Sequence, residues 1–488
     1  MTNEISEHSA SLKTKARNNS FWAILGELIA GATRALGYFI YALLLTPSDF
    51  GVVGFALIFI NAFPLVVDNS LGLALIRGPD TDEAYSTIFY LNILAALVSI
   101  GFLSAISPFL VALVHESKIV TVLPILGIQL LFNALCSVHI AIARKRFQYK
   151  KLVPVRIVSS IVSLCIGIPM AREGFGYWSL IVSSLVGALG QMVAVMLSVP
   201  WRPKWVFKSS VVREMSGFTT WVFLDMSVTW LLMSGASFFL AIFLGVHDLG
   251  LFRLSDRLDT YFLGAVFTPL ITVLYSTYCE CVRNRVTAWD IFERSSEVIS
   301  LAVLMLSGIL IVIATPFSEI LTQKWAGIGF VIMLNAGADG IGYLTVGVPS
   351  LLRAHGHAKA IAVLRICAVG AQILIYTVLA KIGILAFLWG KIAIEIGVTV
   401  GSYVMLWQVF RVSLRSIIVR QIGYVAITAA SIGVALGAMR VGSFTGPFFR
   451  GTVGLVVFCL PMLIVVWAFE RESVMEFVER VGGRWRSD

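Results

Sequence analysis

Charge is what this chain of 488 residues has least of. Only 13% of it is Asp, Glu, Lys or Arg, against 58% apolar residues, where a soluble domain carries roughly a quarter charged residues. That deficit excludes a solvated globular enzyme. Six cysteines are scattered through it (Cys136, Cys165, Cys279, Cys281, Cys367 and Cys459). One spacer residue separates Cys279 from Cys281, too few for a redox or zinc pair, and no second pair accompanies them, so neither a disulfide framework nor a structural metal is expected. A Gly-rich phosphate loop, H-E-x-x-H and G-x-S-x-G are all missing. The histidines (His8, His115, His139, His247, His355, His357) lie apart from one another, and His355-x-His357 is too slight for a metal site. No catalytic residue, metal or cofactor is expected. Long polar connections are lacking too, which leaves no room for an inserted soluble domain.

What the chain has is apolar runs of about 20 residues from end to end, the signature of membrane-spanning helices. They predict an all-α polytopic membrane protein of about 14 transmembrane helices. The spans fall near 18–45, 50–70, 84–106, 119–143, 152–171, 174–199, 215–244, 249–275, 296–315, 327–352, 360–380, 383–409, 421–439 and 447–469. The first run is too long for a signal h-region and ends in no small-residue cleavage site, so it reads as an uncleaved span.

The net charge of +10 is topological. Of the 37 Lys and Arg, 25 fall in segments that alternate to one side of the bilayer and 6 in the opposite loops and their margins. The positive-inside rule puts the first side, with both termini, in the cytosol. Nucleic acid is therefore not needed to explain the basicity. The cytosolic stretch "ARKRFQYKK" (143–151) acts as a topology determinant that also meets anionic lipid.

Two stretches read alike: "LLLTPSDFGVVG" from Leu43 and "IFLGVHDLGLFR" from Ile242. At an offset of 199 the flanking spans also match at Trp22/Trp221, Leu25/Leu224, Phe39/Phe238, Ala42/Ala241, Leu45/Leu244, Asp49/Asp248 and Gly51/Gly250. Six crossings separate the copies, so both point the same way. This predicts two parallel six-helix lobes, 18–199 and 215–410, joined by a cytosolic linker 200–214. Two further helices follow in 411–469, between cytosolic segments 1–17 and 470–488. Parallel repeats of this kind enclose a substrate site that opens to alternate sides. The Asp-x-Gly itself reads as structural: Asp caps a helix start and Gly permits close packing.

Charges inside spans are costly and face a cavity or a partner. Arg34, Arg253, Arg257, Arg365 and Lys391 are the candidates for binding substrate, because guanidinium groups fork onto phosphate oxygens. Their alternative is neutralisation within a helix, as Arg253–Asp256 (i,i+3) and Lys391–Glu395 (i,i+4) permit; Arg34 and Arg365 have no carboxylate within a turn. Glu27 and Asp225, one position apart in the repeat alignment, together with Asp256, Asp339 and Glu395, are candidates to bind a coupling H+ or Na+; the alternative is pairing with cavity arginines. Pro64, Pro124, Pro269 and Pro349 are expected to kink their spans.

Several motifs resemble the polysaccharide transporter family: "LTPSDFG" (45–51), "NSLGLALIR" (69–77), "ARKRFQYKKL" (143–152), "GFGYWSLIVSSLVG" (174–187), "WRP" (201–203), "LGVHDLGLFRLSDRL" (244–258), "PF" (316–317) with "KW" (324–325), and "PSLLRAHGHAK" (349–359). That family shares a superfamily with the lipid II flippases and the multidrug and toxin extruders. The resemblance covers roughly residues 18–410. It implies a flippase of the bacterial cytoplasmic membrane that moves undecaprenyl-diphosphate-linked oligosaccharide repeat units outward, for exopolysaccharide, capsule or O-antigen. It further implies a cationic central cavity, contact with membrane lipids, and a polysaccharide polymerase and chain-length regulator as partners. By analogy with the lipid II flippases, spans 13 and 14 shape a groove for the isoprenoid tail. The alternative is an organic-cation antiporter of the same superfamily, for which an acidic cavity is expected. A membrane polymerase or ligase would need a long external loop, and every external connection is short.

Overall fold

The computed structural model describes residues 29–63, 75, 81–145, 148–284, 287–321, 323–441 and 446–469. Among the described residues every regular element is helical, as a bilayer demands of a chain that must satisfy its backbone hydrogen bonds internally. The helices are α1 (Ile29–Leu44), α2 (Pro47–Phe63), α3 (Asp82–Val114), α4 (Ile119–Lys145), α5 (Tyr149–Arg172), α6 (Tyr177–Ser198), α7 (Ser209–Phe243), α8 (Gly245–Asp259), α9 (Ala265–Arg283), α10 (Trp289–Ile320), α11 (Ile328–Tyr343), α12 (Val348–Ala354), α13 (Ala358–Leu379), α14 (Ile384–Phe410), α15 (Arg415–Val441) and α16 (Pro447–Phe469). Among the described residues eleven helical spans are long and apolar enough to cross a membrane, and α1 and α2 are shorter apolar helices. The protein is a multi-pass membrane protein.

The helices wear their apolar side chains outward. On α3, Leu94, Leu97, Val98, Phe102 and Phe109 are all more than half exposed, whereas Ser86, Thr87, Asn92 and Ser107 are buried. Lipid tails are as apolar as Leu, so small and hydrogen-bonding residues take the helix–helix seams instead. Asn92 Nδ2 donates to Ser137 Oγ of α4 (2.7 Å), and Tyr41 OH donates to Ser183 Oγ of α6 (2.9 Å).

Helix ends are set by residues legible in the chain. Thr81 caps α3 by accepting from Ala84 N, with Asp82 and Glu83 in the first turn, where the helix dipole favours negative charge. Among the boundaries that differ from expectation, two stand out. α10 starts at Trp289 and ends at Ile320, well beyond 296–315 on both sides. The predicted span 249–275 is instead α8, a π-helical turn over Thr260–Gly264, and α9 running on to Arg283. Both extensions are amphipathic and carry charge, which a hydropathy window discards. Pro124 lies inside α4. Pro349 opens the short α12 rather than bending a continuous helix; Pro64 lies outside the described residues.

Packing divides the chain into two compact units, Met1–Arg253 and Leu254–Asp488. In the first, the segment between α6 and α7 is a strap rather than a loose linker. Trp201 packs edge-on against Tyr85, Phe89 and His139 and donates its Nε1–H to Asp82 (3.2 Å). Lys204 N and Lys208 N donate to Ser86 and Thr87 of α3. Lys204 also forms an ion pair with Asp82 at 2.7 Å, and this contact at the membrane margin raises its pKa.

The repeated Asp-x-Gly is explained within this same unit. Thr46 Oγ1 and Asp49 form a reciprocal cap at the start of α2, a capping box with Asp at the third helical position. The other oxygen of Asp49 accepts from Tyr177 N at the start of α6 (3.1 Å). The two glycines face each other's helices reciprocally: a Cβ on Gly51 would overlap the carbonyl of Val246, and one on Gly250 the carbonyl of Pro47. Since 47 and 246, like 51 and 250, differ by 199, α2 and the start of α8 meet through equivalent positions of the two copies. One turn on, Arg253 Nη2 donates to Gly54 O (2.9 Å), again a pair separated by 199.

In the second unit α10 is the post on which the last two helices hang. Glu297 bonds Arg420 of α15, Ser416 donates to Glu293 (2.7 Å), and Arg450 of α16 pairs with Glu319 (2.8 Å). Gln421 enters the seam, donating to Ser300 Oγ (2.8 Å) and accepting from Tyr403 OH (2.6 Å).

The reciprocal glycine contact predicts that Gly51→Val or Gly250→Val destabilises the protein by about 1–3 kcal/mol or more, the usual cost of overpacking. A Cβ on Gly31 would meet nothing within 4 Å, so that position tolerates alanine. Thermal unfolding of the purified variants in detergent checks both.

Candidate functional site

The sequence-predicted residues separate into two groups. Arg34 lies on α1 and Arg253 on α8, both half-buried in the first unit. In the second unit Arg257 lies on α8 and Arg365 on α13, also half-buried. All four are engaged within the chain. Arg253 Nη2 donates to Gly54 O. Glu27 lies outside the described residues, and Asp225 is on α7 with its side chain outside the description.

The acidic candidates of the second unit do come together, around Lys391. This lysine sits on α14, where the expectation was an i,i+4 bond to Glu395 or contact with substrate. Its Nζ instead donates to Asp339 Oδ1 and Asn335 Oδ1 on α11, each at 2.6 Å. The ion pair is secluded: the side chains of Lys391 and Asp339 keep 10% and 20% of their surface. Glu395 points its carboxylate against Gly342, one turn further along α11. Glu395 is the local partner; Asp339 wins because α11 and α14 pack side by side, putting a carboxylate within reach across the seam.

Two members of the cluster are not among the residues the sequence singles out. Asn335 is fully buried and passes the contact on: its Nδ2 donates to Asp259 Oδ2 at the last residue of α8. Asp259 is itself only 3% exposed, and its Oδ1 has no hydrogen-bond partner. The signal for Asn335 is its i,i+4 spacing from Asp339 in an apolar run. Asp259 is visible among the charges of the eighth span, but nothing in the sequence distinguishes it from Asp256. The π-helical turn that begins at Thr260 marks the place, since such turns interrupt helices at functional sites.

A separate feature is an apolar groove of about 570 Å³ between α14 and α15, lined by Thr399, Tyr403, Trp407, Ile418, Ile422 and Val425 among others. Of the two last helices, expected to shape a groove, α15 forms one wall of this one; α16 packs on α15, with Gly454 set against the Met439 sulfur and Thr428 Oγ1 3.6 Å from the Met462 sulfur.

Comparison with known proteins gives a consistent picture. The family model described as polysaccharide biosynthesis protein matches residues 40–329. The succinoglycan biosynthesis transport protein ExoT of Rhizobium meliloti (strain 1021) is 22% identical over 336 residues, covering 68% of each chain. Among solved structures, the lipid II flippase MurJ in an inward closed conformation is similar with TM-score 0.72 at 12% identity, over 95% of this chain and 99% of that one. An inward-facing multidrug resistance MATE transporter of the MOP superfamily is similar with TM-score 0.58 at 16% identity, over 80% and 94%. These structural likenesses are likenesses of fold.

Removing the ammonium leaves the Asp339 carboxylate without its counter-charge in a secluded site. Lys391→Met is expected to cost about 3–5 kcal/mol, as for other broken buried pairs. The double variant Lys391→Met/Asp339→Met should recover part of that loss. A double-mutant cycle on thermal stability checks the sign of the coupling.

Proposed function

Because the chain belongs to the polysaccharide biosynthesis protein family, we propose that it is a flippase for undecaprenyl-diphosphate-linked oligosaccharide in the bacterial cytoplasmic membrane. It is a transporter and not an enzyme. The observation that carries the proposal is the placement of Arg34, Arg253, Arg257 and Arg365 inside spans. A guanidinium retains its charge in any environment and presents a planar fork that matches phosphate oxygens. Four of them suit a diphosphate headgroup, and they do not suit an organic cation. The reading assigns the diphosphate headgroup to these arginines, in a cycle of alternating access.

The apolar groove between α14 and α15 supports the same reading. At about 570 Å³ it is in the size range of ligand pockets, and its walls are side chains that a hydrocarbon chain wets and a sugar does not. We assign the isoprenoid tail to it. Membrane lipids, and the polymerase and chain-length regulator that consume the exported unit, complete the expected partners.

Export of organic cations is the second reading, favoured by the likeness to the MATE transporter and by the buried carboxylates Asp259 and Asp339. It predicts drug accumulation in cells lacking the protein, whereas the flippase reading predicts none.

The direct test is Arg34→Ala/Arg365→Ala. Surface polysaccharide should be abolished while the protein stays folded in the membrane at normal abundance. Normal polysaccharide output from this double variant would reject the diphosphate role.

A further inference from the structure

We propose that Asp259 is a proton-binding site, in which Lys391 serves as a tethered cation that neutralises Asp339 and leaves the Asp259 carboxyl to carry the exchangeable proton. The argument is one of charge and of bonds. Two carboxylates and one ammonium share a buried cluster on α8, α11 and α14. The ammonium is committed to Asp339, 2.6 Å away. It also fixes the orientation of Asn335: with the amide oxygen turned to Lys391 Nζ, the amide NH2 is turned to Asp259 Oδ2. Asp259 therefore receives one hydrogen bond from a neutral donor, and its second oxygen, buried, receives none. An ionised carboxylate so placed costs several kcal/mol, and one proton on that bare oxygen removes the charge.

The same bonds select a proton over a metal cation. Hard cations gather six or so oxygens. Here the Asn335 oxygen and one Asp339 oxygen already hold Lys391, so a metal ion would find too few ligands, while a proton needs only one. Among the remaining groups the carboxylates favour positive charge at this place, and Lys391 opposes it. Asp256 on α8 and Asp339 on α11 act on Asp259 together with Lys391. Glu395 on α14 and the hydroxyls of Tyr343 and Tyr376 lie in the same electrostatic field. Ser307 of α10 borders α11 at Gly340. Asp339 keeps a fifth of its side chain exposed. The π-helical turn next to Asp259 lets α8 shift its register locally as the charge changes.

As the source of the coupling ion, this site rests on the transporter reading; as a proton site it stands apart from it. Infrared difference spectra of the full-length protein in lipid, in H2O and D2O, test it without any cargo. At neutral pH the wild type should show a deuterium-sensitive protonated-carboxyl band that Asp259→Asn removes. Asp339→Asn should remove it as well, because Asp259 then ionises against Lys391; a purely structural Asp339 would leave it in place. Exchanging choline for sodium should change nothing. The proposal is overturned by a wild type with no such band, by a band that survives Asp259→Asn or Asp339→Asn, or by a band that sodium bleaches. If Asp259→Asn does not fold, the wild-type and Asp339→Asn spectra decide. Surface polysaccharide is measured on cells, so failure here is distinct from failure of the flippase reading.

Discussion

In hydrocarbon a charge needs its compensation within bonding distance, and on a helix that compensation usually comes from a neighbour. This constraint organises the second unit. Lys391 joins α14 to α11 through Asp339 and Asn335, and Asn335 extends the link to the end of α8. At the margins of α10, Glu297 and Glu319 recruit Arg420 and Arg450 and so dock the last two helices. Each pair orders helices that the hydrophobic effect alone could not, because every face of a helix is equally content against lipid tails.

The first unit solves the same problem with backbone. Where the two copies of the repeat meet, glycine lets carbonyl oxygens approach the opposing helix, and Asp49 spends both oxygens on helix starts. The cost of a side chain there explains why Gly51 and Gly250 stand at equivalent places in each copy. Arg253, one turn further, anchors a guanidinium to the carbonyl of its own repeat counterpart, Gly54. A cation held at that place by backbone has its orientation fixed by the fold itself.

Much of this is legible in the chain because bilayer physics is coarse. Apolar run length fixes the spans, and the 199-residue offset marks the equivalent helices whose glycines interlock. The charged residues that matter are visible as charges inside spans. Pairing is what the chain conceals. Lys391 has Glu395 four residues away, and only the packing of α11 on α14 gives it Asp339 instead. Arg420 and Glu297 are 123 residues apart and read as loop and span margin. Trp201 looks like part of a linker, yet its indole and backbone make that linker a strap on α3. That α14 supplies the other wall of the groove beside α15 is likewise hidden, since nothing in an apolar sequence says which neighbours close on each other.

The central claim is that the protein carries a lipid-linked diphosphate outward. Deleting the gene and extracting the lipids tests this most directly. The account predicts accumulation of a diphosphate-linked oligosaccharide that remains in the cytosolic leaflet, inaccessible to reagents added outside the cell. An unchanged lipid pool, or a diphosphate-linked oligosaccharide that still reaches the outer leaflet, would contradict it.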